Sequence, residues 1–386
     1  MKIALLGHGT IGLGVDHILK RTGGPEVTKI LSLIVDDEMA GRTASSIDDI
    51  VSDPEIGLVA EVMGGVHPAY EFISKALSAG KHVVTANKAV AAAYFAELTA
   101  LAEANGVSFR YTSAAGGSIP WLMNLARAKR VNPVLALSGI VNGTCNYILT
   151  RMEEDGVPFG EALSDAQRLG FAERDPAADI DGADTLRKLV LSLNVAYDTA
   201  LREETLPCAG IRNITPEDLA FGRALGLKVR MLMKGGRNED GSVYGFAEPV
   251  FLPADSPEGC VRENMNLVSY VGTESGLQRF SGYGAGRYPT AYNLVEDILD
   301  AVSGTAVPYT GHIAPVAVRN DLLMRRYYVR TSALPEVPAH IIESTDGTAA
   351  VTRPVSPADM HRLAKLLLEK DPLLFFAGME EGEEKC

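Results

Sequence analysis

The first hundred residues alternate short apolar runs with longer stretches in which apolar residues recur at helical spacing. Buried strands are predicted for the runs at residues 2–6, 30–35, 58–62, 82–85 and 108–111. Helices are predicted for the stretches at residues 11–21, 67–79 and 89–104. Strands that alternate with helices in this way are typical of parallel βαβ units. The pattern therefore predicts an α/β fold with an open, doubly wound parallel sheet of the Rossmann type.

After residue 133 the pattern becomes mixed, which predicts a second domain of α+β type. Its predicted elements are strands at 134–141, 229–233, 243–246 and 248–252, and helices at 146–154, 160–169 and 184–196. The tail has predicted strands at 327–333 and 349–353, a helix at 357–369 and an apolar run at 373–376. The predicted boundaries are a first domain at 1–133, a second at 134–284, return helices packing on the first domain at 285–322, and a short α+β tail at 323–386.

The net charge disfavours some kinds of binding partner. The 386 residues include 49 acidic and 36 basic side chains, and the formal net charge of -13 disfavours a nucleic-acid or anionic membrane partner. No run of eighteen apolar residues occurs, and the apolar stretch at residues 3–6 is too short for a signal peptide. We expect a soluble, cytoplasmic protein without a nucleic-acid or membrane partner.

The cysteines and histidines do not suggest a metal site. Cys145, Cys208, Cys260 and Cys386 are scattered without CxxC spacing, and the seven histidines are dispersed. This arrangement disfavours both a disulfide framework and a zinc site. We therefore expect reduced, mostly structural thiols and no metal chemistry.

A glycine-rich sequence joins the first predicted strand to the first predicted helix. It reads Gly7-His8-Gly9-Thr10-Ile11-Gly12, the G-x-G-x-x-G pattern in the position that dinucleotide binding requires. In this pattern the first glycine permits a tight turn, the second lets the backbone approach a pyrophosphate, and the third allows close helix packing. The N–H groups at the start of the helix would then face the anion.

Two acids at the end of the second predicted strand bear on the choice of cofactor. Asp36 and Asp37 follow Gly12 by 24 and 25 residues, close to where a carboxylate accepts the ribose 2′-hydroxyl of NAD and repels the 2′-phosphate of NADP. Arg42 opposes this interpretation, because a nearby guanidinium can hold that phosphate. We expect NAD to be preferred and NADP to be usable.

Four segments resemble the homoserine dehydrogenase family. They are Thr85-Ala-Asn87-Lys88, the run from Gly139 to Leu149, the block from Leu169 to Lys188, and Gly284-Ala-Gly286 with Pro289-Thr-Ala291. The resemblance covers residues 1 to about 320 and implies the NAD(P)-dependent interconversion of aspartate 4-semialdehyde and homoserine, in the pathway to threonine and methionine. It also implies a homodimer formed through the second domain, which would carry the catalytic groups.

Aldehyde reduction needs a hydride, which the nicotinamide supplies, and a group that protonates the developing alkoxide. Asp184 and Lys188 are four residues apart on a predicted helix and share a face, although such a pair is often only a solvated salt bridge. Within the matching block, Lys188 is the candidate general acid/base and Asp184 its support. Lys88, at the predicted carboxyl edge of the sheet, resembles the family's second catalytic-site lysine, near substrate and nicotinamide.

Homoserine carries an ammonium and a carboxylate, so its pocket needs an acid and several donors. By resemblance, Glu173 and Asp179 are the candidate acids for the ammonium. The candidate donors are Asn142, Gly143 and Thr144, which are predicted to begin a helix after a strand. The resemblance also assigns the cofactor to Gly7, Gly9, Thr10, Ile11, Gly12, Asn87, Lys88 and Gly286.

The chain departs from the family at two places. Many relatives have a glutamate that helps hold a monovalent cation eight residues before a proline, where this chain has Thr112 before Pro120. The cation site thereby loses its charged ligand. The tail is short and lacks the usual Pro-Gly-Val turn of the regulatory ACT domain, so it is predicted to be a degenerate ACT-like module for which feedback by threonine does not follow.

The sequence also allows two other functions. A related semialdehyde or amino-acid dehydrogenase would share the scaffold, although no cysteine has a motif histidine partner for an acyl-enzyme route. A catalytically silent sensor that binds NAD(H) would keep the glycines but has no need for the pair Asp184 and Lys188.

Overall fold

The structure is a computed structural model that describes residues 1–33, 39–306 and 313–380. Its residues form two compact units. The first unit comprises Met1–Pro133, Val190–Glu203 and Gly282–Pro315. The second comprises Val134–Leu189, Glu204–Ser281 and Val316–Cys386. Within the described ranges, no helix has both the length and the apolar composition needed to cross a membrane.

The described residues contain the following strands and helices. The strands are β1 (Lys2–Leu6), β2 (Val27–Leu31), β3 (Ile56–Glu61), β4 (His82–Thr85), β5 (Phe109–Arg110), β6 (Val134–Ile140), β7 (Leu227–Arg237), β8 (Val243–Pro253), β9 (Met265–Gly272), β10 (Gly276–Tyr283), β11 (Arg326–Arg330), β12 (Ile342–Asp346), β13 (Ala349–Thr352) and β14 (Phe375–Met379). The helices are α1 (Thr10–Thr22), α2 (Ile47–Val51), α3 (Ala69–Ser78), α4 (Lys88–Ala93), α5 (Phe95–Ala104), α6 (Trp121–Ala128), α7 (Gly143–Asp155), α8 (Phe159–Arg168), α9 (Ala177–Ile180), α10 (Ala183–Tyr197), α11 (Pro216–Ala224), α12 (Arg287–Val302) and α13 (Pro357–Leu368).

The first unit contains a five-stranded sheet in the order β2-β1-β3-β4-β5. All its strand pairs are parallel, which confirms the predicted Rossmann-type sheet. The chain reverses its direction of progress across the sheet between β1 and β3, and open α/β sheets bind ligands outside the carboxyl ends of the strands at such a point. Buried side chains of α12, among them Ala291 and Ile298, share one apolar core with Val15 and Leu19 of α1.

Two predicted elements of this unit differ from the structure. The stretch at 89–104 is not one helix, because it breaks at Tyr94 into α4 and α5. The second strand runs from Val27 to Leu31 rather than from 30 to 35, and residues 34–38 lie outside the described residues. Its side chains at Thr28 and Lys29 are only half-buried. The polar residues near the start of this edge strand interrupt its apolar pattern, so the pattern does not mark where β2 begins.

The second unit contains a nine-stranded sheet in the order β10-β9-β6-β7-β8-β14-β11-β13-β12. The β14–β8 pair is parallel, whereas β6–β9, β6–β7, β7–β8, β11–β14, β11–β13 and β12–β13 are antiparallel. This mixed sheet agrees with the α+β class predicted for the second domain. The sequence pattern divided β8 in two at Ala247 and missed β9 and β10. The side chains of Asn266 and Ser269 interrupt the apolar run of β9, and most residues of β10 are exposed.

The tail continues the sheet of the second unit. Strands β14, β11, β13 and β12 extend it beyond β8, and α13 connects β13 to β14. Contacts among its residues bury Tyr327, Met360 and Phe376 in a core of their own. The ACT-like character of residues 323–386 stays a prediction.

Candidate active site

The glycine loop leads from β1 into α1. Gly7 has a φ of +97°, a conformation that L side chains rarely adopt. A Cβ at Gly12 would lie 2.4 Å from the carbonyl oxygen of Gly7, so this close approach needs glycine. Gly9 is the N-cap of α1 and Thr10 its first residue, and both are exposed, whereas Ile11 packs on the core. The first turn of α1 therefore presents backbone N–H groups at an accessible surface, as binding of a pyrophosphate requires.

Arg42, the residue considered for a 2′-phosphate, forms an ion pair with α1 that the sequence did not reveal. Asp36 and Asp37, the predicted ribose ligands, lie outside the described residues. Arg42 donates hydrogen bonds to both carboxylate oxygens of Asp16, each at 2.8 Å, and Lys20 donates to one of them at 2.8 Å. Burial opposes the charge on Asp16, but these hydrogen bonds outweigh it and hold its pKa below the ordinary value. The guanidinium considered for a 2′-phosphate is thus engaged by a carboxylate of α1.

Asn87 and Lys88 follow β4 at the carboxyl edge of the parallel sheet. The Asn87 side chain caps α4, and its Nδ2 donates to the Gly65 carbonyl oxygen at 2.6 Å. Lys88 is the first residue of α4 and is half-buried. Beside them, at the end of β3, the fully buried Glu61 accepts a hydrogen bond of 2.5 Å from Thr85 Oγ1. Glu61 was missed in the sequence, although an acid that closes an otherwise apolar strand was a signal for it.

The turn that contains Thr112 is bound to α12, whose N-cap is Gly286. Thr112 donates from its backbone N at 2.9 Å and from Oγ1 at 2.8 Å to the Asp297 carboxylate. Burial raises the pKa of Asp297 to about 7, although the bonds from Thr112 and the charge of Arg110 act in the opposite direction.

The residues at this turn do not fit a monovalent cation held by a charged side chain at position 112. Thr112 offers a hydroxyl group without charge, and the neighbouring Asp297 carboxylate already accepts two hydrogen bonds from it. Among the described residues, no three His, Cys, Asp or Glu side chains converge as metal ligands would.

In the second unit, Asn142 joins two acids that are separate in the sequence. It is the N-cap of α7, and its Oδ1 accepts a hydrogen bond from the backbone N of Cys145 at 2.7 Å. Its Nδ2 donates to Asp179 Oδ1 at 2.7 Å and to Asp184 Oδ2 at 2.9 Å. Thr144 Oγ1 donates to the other oxygen of Asp179 at 3.0 Å. The start of α7 thus holds both carboxylates in one polar cluster.

Lys188 completes this cluster from α10. Its Nζ donates to Asp184 Oδ2 at 2.7 Å and to the Val141 carbonyl oxygen at 2.6 Å. Lys188 is 8% exposed and Asp184 is 5% exposed, so this pair is held far from the solvent that weakens surface ion pairs. Burial, together with repulsion from Asp184, raises the pKa of Asp179. The cluster therefore combines an oriented amine with an acid that prefers to gain a proton or a cation.

The remaining predicted substrate ligands differ in their exposure to solvent. Gly143 is the first residue of α7, and the buried Thr144 also donates to the Phe171 carbonyl oxygen at 2.7 Å. Glu173 is exposed, and its backbone carbonyl accepts a hydrogen bond from Gln167 Nε2 at 3.1 Å. Within the part of the chain that the structure describes, Glu173 is not a member of the hydrogen-bonded cluster around Asn142.

Comparisons with known proteins identify relatives of this chain. Residues 120–299 match the family model described as homoserine dehydrogenase, and residues 7–112 match the model of the homoserine dehydrogenase NAD-binding domain. The homoserine dehydrogenase of Synechocystis sp. is 35% identical over 319 residues, which are 78% of this chain and 73% of that protein. The homoserine dehydrogenase of Bacillus subtilis is 33% identical over 329 residues, which are 81% of this chain and 75% of that protein.

A solved structure shows the same likeness over almost the whole chain. The crystal structure of a homoserine dehydrogenase from Thiobacillus denitrificans superposes with a TM-score of 0.87 at 28% identity, and it covers 99% of this chain and 98% of that one. The resemblance seen in the sequence is thereby confirmed, and with it an oxidoreductase that uses a nicotinamide cofactor and a small-molecule substrate. The chain belongs to the homoserine dehydrogenase family.

Proposed function

We propose that Lys188 is the general acid/base in the interconversion of L-aspartate 4-semialdehyde and L-homoserine. The observation that carries this proposal is the buried amine held between Asp184 Oδ2 and the Val141 carbonyl oxygen. When bound, the nicotinamide supplies or accepts the hydride. In reduction, the Lys188 ammonium would give a proton to the alkoxide oxygen that forms. In oxidation, the neutral amine would take the hydroxyl proton, while Asp184 keeps the side chain in place.

We propose that Asp179 receives the α-ammonium of the substrate, with Glu173 as the second candidate acid. Asn142 and Thr144 each donate to one oxygen of Asp179, which fixes the direction of its carboxylate. Burial and the nearby Asp184 raise the pKa of Asp179, so a substrate cation would recover the interaction that this acid lacks. The backbone of Gly143, at the start of α7, would add a donor for the substrate.

For the cofactor, we propose pyrophosphate binding by the loop that contains Gly7, Gly9, Thr10, Ile11 and Gly12. Asn87, Lys88 and Gly286 would contribute to the rest of the cofactor site, with Lys88 near both nicotinamide and substrate.

We further propose that NAD is preferred over NADP and that Asp36 or Asp37 accepts the ribose hydroxyls. The bidentate pair between Arg42 and Asp16 supports this preference, because a guanidinium bound to a carboxylate is less available to a 2′-phosphate. We also propose a cytoplasmic homodimer formed through the second domain, residues 134–284.

The experiment that tests the reaction is NAD⁺ reduction with L-homoserine, compared with L-threonine, L-serine and L-aspartate, together with NADH oxidation by aspartate 4-semialdehyde. We expect turnover with homoserine and its semialdehyde alone. Faster turnover of another amino acid would indicate a related dehydrogenase, and NAD binding without turnover of any substrate would indicate a silent sensor.

The substrate site is tested by Asp179→Asn. We expect the KM for homoserine to rise about tenfold or more, because a neutral amide cannot pair with an ammonium, whereas the dissociation constant of NAD should hardly change. Glu173→Gln in the same assay separates the two candidate acids. An unchanged KM in Asp179→Asn would exclude Asp179 as the ammonium ligand.

A further inference from the structure

Glu61 is a buried carboxylate at the point where three parallel strands end. It is 0% exposed and is the last residue of β3. In the sheet it lies opposite Leu6 of β1 on one side and Thr85 of β4 on the other. This is the carboxyl edge beside the reversal between β1 and β3, where open α/β sheets bind ligands.

In each hydrogen bond that the structure describes for the Glu61 side chain, the carboxylate is the acceptor. Thr85 Oγ1 donates to Oε2 at 2.5 Å, and the backbone N of Met63 donates to Oε1 at 2.7 Å. Asn87 Nδ2 approaches Oε1 at 3.5 Å. Burial raises the pKa of Glu61, while the hydrogen bonds from Thr85, Met63 and Asn87 act in the opposite direction. The network thus holds a polar side chain at a buried position, where an apolar side chain would avoid the desolvation cost.

This network leads to Lys88 through two residues. The backbone N of Asn87 donates to Thr85 Oγ1 at 2.8 Å, so the Thr85 hydroxyl accepts from Asn87 while it donates to Glu61. The Asn87 side chain in turn accepts a hydrogen bond from the backbone N of Val90 at 3.3 Å and caps α4, which starts at Lys88. The path of the backbone into Lys88 is therefore set by groups that Glu61 holds.

The other side of Glu61 supports the glycine loop. The backbone N of Val62 donates to the Leu6 carbonyl oxygen at 2.8 Å. A Cβ at Gly7 would lie 3.0 Å from the Val62 carbonyl oxygen and 3.3 Å from Met63 Cα, so the residues after Glu61 pack directly against the loop. One carboxylate thus connects the strand end under the cofactor loop with the turn before Lys88.

We propose that Glu61 is a positioning residue that fixes Lys88 relative to the glycine loop through Thr85 and Asn87. The inference rests on the proposed role of Lys88 near nicotinamide and substrate, and it goes beyond that role by naming what holds this lysine. In this proposal Glu61 acts through Lys88 and not by touching substrate or cofactor. Its removal should lower kcat more than it weakens nucleotide binding, because a small displacement of a group near the reacting atoms costs up to about a hundredfold in rate.

The primary variant is Glu61→Gln, which keeps the shape but turns one of the two acceptors into a donor. We expect kcat to fall about tenfold or more, while the dissociation constant of NAD, measured by fluorescence, stays within about threefold. The control is Asp218→Asn in the second unit. Asp218 is also 0% exposed and accepts hydrogen bonds from Tyr328 and Arg330. Its replacement should lower the melting temperature without the loss of kcat.

A double-mutant cycle with Lys88→Ala decides whether Glu61 acts through the lysine. If it does, Glu61→Gln lowers kcat in the wild type but adds little in the Lys88→Ala background. Independent, multiplying losses in the cycle would overturn the inference, as would wild-type kcat in Glu61→Gln. If Lys88→Ala alone retains full activity, it is instead the proposed role of Lys88 that fails.

A second pair of variants covers the case in which Glu61→Gln does not fold. Thr85→Val removes the hydroxyl that joins Glu61 to Asn87 and should lower kcat, whereas Thr85→Ser retains the hydroxyl and should restore it. Equal kcat values for the valine and serine variants, with similar melting temperatures, would overturn the inference.

Discussion

Replacing Lys188 by alanine removes the proposed proton donor and is expected to lower kcat by at least about a hundredfold. General acid–base catalysis contributes about 10²- to 10⁴-fold, or about 3–5 kcal/mol of transition-state stabilisation. The Lys188 amine is bound by Asp184 Oδ2 and the Val141 carbonyl oxygen, so its removal leaves no equally oriented donor from the same position. The KM for homoserine should change little, because proton transfer is an interaction of the transition state.

The chain offers a closely matched control at Lys129. Its Nζ also donates to a backbone carbonyl, that of Val195 at 2.7 Å, and to a carboxylate, that of Asp198 at 2.5 Å. The exposed fractions of the two lysine side chains are also similar, at 13% for Lys129 and 11% for Lys188. Asp198 is more exposed than Asp184, at 37% against 7%, so Lys129→Ala should cost at most the same free energy of unfolding, about 1–3 kcal/mol or less, and retain wild-type kcat.

The assay is steady-state homoserine oxidation and semialdehyde reduction by wild type, Lys188→Ala, Lys188→Arg and Lys129→Ala, with thermal unfolding of each. Lys188→Arg keeps the charge but should not restore oxidation, because an arginine does not give up its proton in proteins. The reasoning is refuted if Lys188→Ala retains kcat within about threefold, or if Lys129→Ala loses as much activity as Lys188→Ala.

Four further results are expected. Homoserine oxidation should rise towards alkaline pH, since the base must be unprotonated, and a flat profile with rate-limiting chemistry would count against a lysine. Asp16→Asn should release Arg42 and shift kcat/KM towards NADP by about tenfold, whereas Lys20→Ala, which spares the bidentate pair, should not. Burial raises the pKa of Asp297 to about 7, so the folded chain retains a proton that the unfolded chain loses, and stability falls as the pH rises from about 4 to 7. Asp297→Asn should remove up to about 4 kcal/mol of that fall in urea unfolding, and curves parallel to the wild type would contradict this. L-threonine at millimolar concentration should inhibit the full-length chain weakly or not at all, and strong cooperative inhibition would show an effector pocket.

Local patterns of the sequence predicted those features in which a few neighbouring residues determine the geometry. The glycine loop needs only six consecutive residues, and the spacing of Asp184 and Lys188 places them on one helix face, where their atoms lie 2.7 Å apart. The parallel sheet likewise followed from the alternation of apolar runs and helical stretches. Such features depend on backbone geometry within a single element, or on the order of elements along the chain.

Contacts between distant residues were not accessible in this way. The pair of Asp16 and Arg42 joins residues 26 positions apart, and the bond between Thr112 and Asp297 joins residues 185 apart. A polar residue in an apolar helix pattern gives no sign of its partner until the packing of α1 or α12 is known. The same holds for Asn142, whose contact with two acids depends on how the start of α7 meets the segment around Asp179.

The strand order of the second sheet determines how regulation by the tail has to be examined. Strand β14 pairs in parallel with β8 and antiparallel with β11, so the tail covers an edge of β8. The fully buried Glu248 of β8 also pairs with Arg325 at 3.0 Å and with His361 of α13 at 2.6 Å. Deleting the tail would uncover that edge and leave the carboxylate without either partner. A truncated chain would therefore lose stability whether or not the tail binds an effector, so effector binding has to be measured on the intact chain, with substitutions confined to exposed tail positions.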